Sequence, residues 1–111
     1  MNGKLLIVDT SPYKNQDRLK SFIGSHNHPP LTIYFVGEGV IWLDDDYWDV
    51  IYNQDVVYYA NAMDAIQYNV NFQSDVIFSS ENTLEQLLGT AEKIIYLSHE
   101  DTIKPKINTR S

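Results

Sequence analysis

Few side chains in this sequence are equipped for chemistry. The chain has 111 residues and no cysteine, which excludes thiolate nucleophiles, disulfides, iron-sulfur clusters and cysteine-based zinc sites together. His26 and His28 lie two apart in HNHPP, and His99 precedes Glu100 and Asp101. Imidazoles at that spacing hold a metal only with ligands from elsewhere, so both contexts read as exposed polar loops. Asp44-Asp45-Asp46 would attract a hard cation, but three consecutive residues at a helix start point in different directions and no EF-hand spacing follows. They read as solvated capping acids. Serine, histidine and aspartate are all present, yet there is no G-x-S-x-G elbow, and Gly37-Glu38-Gly39 is too short for a phosphate-binding loop. These residues call for no metal and no cofactor.

Charge narrows the partners. Fifteen acidic and eight basic side chains give a net charge of -7, and every Lys or Arg lies near an end: Lys4, Lys14, Arg18 and Lys20, then Lys93, Lys104, Lys106 and Arg110. Residues 21–92 carry eleven acids and no cation. A surface built from that span repels phosphate backbones, which argues against nucleic acid. No apolar run approaches the roughly 20 residues of a membrane span, and MNGKLLIVD leads into a strand-like run rather than a signal-peptide core. A cytoplasmic protein without membrane partners is the expectation.

The elements that must position any site follow from the apolar pattern. Residues 5–8, 31–36, 56–60, 75–78 and 94–97 are short, continuous, β-rich runs. Between them, Leu19, Phe22 and Ile23 mark a helix over 16–24. Asp44 to Asp46 cap one over 47–53, residues 62–68 form another with Asn69 as a left-handed end, and Ser80 caps one striped by Leu84, Leu87, Leu88 and Ala91. Residues 26–30 make a proline-rich connector. Strands alternating with helices predict an α/β fold: a single-layer, mainly parallel five-stranded sheet with helices on both faces and right-handed crossovers. The domain is expected to span 1–97, followed by a tail over 98–111, free or docked on a neighbouring subunit.

In such a sheet, ligands collect beyond the C-terminal strand ends near a topological switch point. The candidates there are Thr10 and Ser11; Gly37, Glu38 and Gly39; Asn61; and Ser79 and Ser80. Ordinary turn and capping chemistry is the competing reading for all of them. Asp9 and Glu38 are the acid-base groups a hydrolytic alternative would use. Trp42, Tyr47, Trp48 and Tyr52 cluster in the acidic stretch, and their contact area with a polar handle suits an interface.

The order of motifs resembles a known family. LTIYFVGEGV over residues 31–40, Ala60-Asn61-Ala62-Met63, Asp75-Val76-Ile77-Phe78-Ser79-Ser80, Leu84-Glu85-Gln86-Leu87-Leu88 and the closing AEKIIYL over 91–97 are similar to the DsrE/DsrF-type sulfur-relay family, which includes the TusBCD subunits. The resemblance covers nearly the whole chain up to Leu97. It implies the same fold, and a persulfide-carrying cysteine at the start of the helix after the third strand. Counting back from the family's RRG, which falls on Gln67-Tyr68-Asn69, places that position near Asn61. A carboxamide cannot hold a persulfide. The resemblance therefore implies a non-catalytic member, an oligomeric subunit or binding module associated with intracellular sulfur transfer. Its expected partners are copies of itself in a dimer, trimer or hexamer, or a cysteine-bearing relative. A small-ligand-binding or hydrolytic α/β domain using the strand-end cleft is the alternative.

Overall fold

The structure is a computed structural model that describes residues 3–25 and 30–97. Five strands, β1 (Lys4–Val8), β2 (Leu31–Phe35), β3 (Val56–Asn61), β4 (Val76–Ser79) and β5 (Lys93–Leu97), form one sheet in the order β4-β3-β2-β1-β5. Every pairing is parallel, as the alternation of strands and helices predicts. The helices are α1 (Pro12–Ser25), α2 (Asp45–Ile51), α3 (Ala62–Gln67) and α4 (Glu81–Thr90), with a 3-10 helix over Gly37–Leu43.

The strand order dictates which face each helix covers. From β1 to β4 the chain steps one way across the sheet, so right-handed crossovers put α1, α2 and α3 on one face. The step to β5 runs back past β1, which puts α4 on the other. Alternate residues serve the two faces. Leu6, Val8, Ile33, Phe35, Tyr58 and Ala60 join Leu19, Ile23, Trp42, Leu43, Trp48 and Ile51 in the larger core. Leu5, Ile7 and Tyr34 make a smaller one, against Leu84, Leu87, Leu88 and Ala91 of α4. Burial on both faces explains why the strands read as unbroken apolar runs.

Several boundaries differ from the expectation. α1 begins at Pro12 and not at residue 16, because proline's fixed φ and missing N–H suit the first helical position. The apolar stretch after β2 winds into the 3-10 helix, pinned by two tertiary features. Gly37 takes φ 53, and a Cβ on Gly39 would overlap the Val8 carbonyl oxygen. α2 starts two residues earlier than expected, with Asp45 and Asp46 in its first turn, where carboxylates favour the dipole. Asp44 and Ser80 occupy the N-caps of α2 and α4 but make no side-chain capping bond. Asn69 takes φ 55, the left-handed geometry expected of it.

Buried polar groups are tied into the core. The Trp42 indole donates to the Thr10 carbonyl at 3.0 Å. The Tyr58 hydroxyl donates to the Ile51 carbonyl at 2.7 Å and accepts from the Asn53 N–H at 2.9 Å. Burial raises the Tyr58 pKa well above the ordinary phenol value. The tail over 98–111, and most of the connector over 26–30, lie outside the described residues. Among the described residues, no helix is long and apolar enough to cross a membrane.

Candidate functional site

The C-terminal ends of β3 and β4 enclose a cleft of about 510 Å³, lined by Asn61, Met63, Asp64, Ser80, Glu81 and Asn82. That volume falls in the ordinary range for small-ligand sites. Asn61 and Ser79 are register partners at the ends of the two strands, so the helices that follow begin side by side. Asn61 is buried, and its side-chain oxygen accepts the Asp64 N–H at 3.0 Å as the N-cap of α3. Asp64 is thereby aimed back toward the sheet. Its carboxylate accepts the Gly37 N–H at 2.7 Å, which ties the turn after β2 to the cleft wall.

Behind the wall stands Tyr34, fully buried on the α4 face. Its hydroxyl lies 3.2 Å from the Ser79 Oγ and donates to the Ser80 carbonyl at 3.0 Å. Burial raises its pKa, and the carboxylates of Asp64 and Glu81 add to the rise. The phenol therefore stays protonated at neutral pH. The lining comprises two carboxylates, two carboxamides, a hydroxyl and a thioether. Since residues 21–92 hold no Lys or Arg, this chemistry suits neutral or cationic hydrogen-bonding groups and repels anions.

The structure gathers Asn61 and Ser80 at the cleft, with Ser79 one hydrogen bond behind it. The remaining candidates sit elsewhere. The topological switch point lies beside β1, where the strand order reverses, and there the space is filled. Thr10 and Ser11 are buried, the Thr10 hydroxyl donates to the Leu97 carbonyl at 3.4 Å, and the Trp42 indole closes over the same loop. Gly37 and Gly39 serve the backbone, and Glu38 is exposed. Neither Glu38 nor Asp9 lines the cleft. Met63, Asp64, Glu81 and Asn82 were not foreseen. They follow directly on Asn61 and Ser80, so extending each strand-end residue by one helical turn would have found them.

The aromatic cluster is also redistributed. Trp42 and Trp48 are buried in the core, Tyr47 is half-buried, and Tyr52 is exposed beside Trp48, with ring centroids 5.6 Å apart. The two indoles are consumed within one copy because the 3-10 helix and α2 fold them over the sheet. Exposed apolar surface lies at the sheet edges and on α3 instead: Met63, Ile66, Phe72, Ile77 and Tyr96. Among the described residues, no group of three or more His, Asp and Glu is placed to hold a metal.

No protein-family profile matches the sequence, and no curated protein matches it. Its fold does have a solved counterpart. The crystal structure of the YchN protein from E. coli superposes with a TM-score of 0.70 at 12% sequence identity, over 87% of this chain and all of that one. The chain therefore has a DsrE-like fold.

Proposed function

We propose that this protein is a non-catalytic DsrE-like subunit or binding module associated with intracellular sulfur transfer, one that presents a cleft and carries no sulfur itself. The observation that carries this reading is Asn61. It ends β3, caps α3 and lines the cleft, at the position to which the family resemblance assigns a cysteine. A carboxamide is not a nucleophile toward sulfane sulfur. The cleft is left to bind a neutral or cationic group of a partner, or to hold a cysteine-bearing relative in place. The hydrolytic alternative is weaker, because Asp9 and Glu38 stand away from the cleft.

Restoring the thiol tests the reading. In Asn61→Cys the new thiolate attacks the terminal sulfur of a polysulfide. One S–S bond breaks, the electron pair leaves with the shortened polysulfide, and the protein gains one sulfur atom. Mass spectrometry should find that gain in the folded variant and none in the parent chain. A thiol at 61 that never gains sulfur, in a folded protein, contradicts the reading.

A further inference from the structure

The sequence segregates its charge, and the strand order converts that into segregation in space. Lys4 and Lys93 are register partners on β1 and β5, at one side of the sheet. Asp55 and Asp75 immediately precede β3 and β4 at the other, within a span that holds no Lys or Arg. β4 and β5 are the two edge strands, with outer backbone groups available for pairing. Both also expose apolar side chains on the α4 face. Ile77 on β4 and Tyr96 on β5 are 51% and 55% exposed, and Val57 and Ile94 flank them at 48% and 40%. A single helix covers the middle of this face and leaves its two sides bare.

We propose that the chain self-associates head to tail, the β5 edge of one copy docking on the β4 edge of the next. This deepens the oligomeric reading above and rests on it only for the premise that the protein assembles. The two sides match in both charge and apolarity. Like edges do not: β4 against β4 brings Asp75 to Asp75, and β5 against β5 brings Lys93 to Lys93. The levels match as well. Lys93 pairs with Lys4, Lys4 with Leu31, Leu31 with Val56, and Tyr58 with Val76. Continuing the sheet at the same level therefore sets Tyr96 of one copy beside Ile77 of the next, on the same face, and Lys93 within one residue of Asp75. Leu97 then ends beside the neighbour's cleft. A contact between unlike surfaces repeats, so it builds a ring or an open chain and not a closed two-fold dimer.

Sedimentation velocity on the full chain tests this. The parent protein should grow in size with concentration, and salt should weaken the association. Ile77→Glu and Tyr96→Glu, placed on opposite edges, should each raise the concentration for half-association by roughly tenfold or more. Mixed in equal amounts, they should form a one-to-one dimer and nothing larger, because each retains one intact edge. Asp75→Lys and Lys93→Asp alter only exposed positions, so folding is preserved. Each should weaken association and the double variant should regain it. A parent protein that stays monomeric at all concentrations overturns the proposal, and so does an assembly disrupted by only one of the two edge variants. Either result leaves the reactivity of a thiol at position 61 unaffected, so the two readings fail separately.

Discussion

At the scale of single residues, two buried hydroxyls and one carboxamide organise the molecule. Tyr58 bridges α2 to β3 through Ile51 and Asn53, and burial raises its pKa above the ordinary value of 10.0. A folded-state pKa above the unfolded one gives stability that is whole below about pH 10 and is lost as the pH rises toward the folded value. Thermal unfolding followed from pH 8 to 12 should therefore show a steep alkaline decline. Tyr58→Phe should flatten part of that decline while costing about 1–3 kcal/mol at neutral pH, because the Asn53 N–H and Ile51 carbonyl lose their partner. At the cleft, Glu81 adds negative charge beside the position of any introduced thiol. In the background of Asn61→Cys, Glu81→Gln should speed reaction with anionic polysulfide at low ionic strength and change little with neutral iodoacetamide, a difference that rate measurements resolve. Asn61 itself was legible, since its place after a β-rich run and before Ala62-Met63 marked a strand-to-helix junction. The role of Tyr34 was not, because its hydroxyl meets Ser79 and Ser80 across 45 and 46 residues of sequence.

At the scale of elements, the strands and most helices were legible because continuous β-rich runs and 3.6-residue stripes record burial directly. Where the reading slipped, tertiary contact overrode local pattern. The 3-10 helix over Gly37–Leu43 reads in sequence as an extended apolar run, and its winding depends on the close approach of Gly39 to Val8. The caps of α2 and α4 carry the right residue types yet make no side-chain bond. Two glycine substitutions separate these effects. Gly39→Ala should destabilise by about 2 kcal/mol or more, since neither the Val8 carbonyl nor the turn has room to give. Gly89→Ala, in α4 with open space around its Cβ position, should stabilise by about 0.5–1 kcal/mol. Chemical denaturation of the two variants against the parent chain checks both signs.

At the scale of the whole molecule, the strand order decides what composition alone could not. The absence of cations from residues 21–92 was evident in the sequence, but only the order β4-β3-β2-β1-β5 makes it a polarity across the sheet. The same order moves the cleft away from the switch point, where Thr10 and Trp42 fill the space, to the ends of β3 and β4. The fold likeness to YchN and the cleft position then bear on one claim, that Asn61 stands at the mouth of an open cleft where a thiol would be presented. With no native cysteine, one introduced thiol reports without interference. The most direct measurement is the rate at which iodoacetamide alkylates Asn61→Cys in the folded protein, set against Thr10→Cys and against each variant unfolded. The account predicts that the thiol at 61 reacts within about tenfold of its unfolded rate while the thiol at 10, sealed beneath Trp42, is strongly protected. Equal protection at both positions would contradict it.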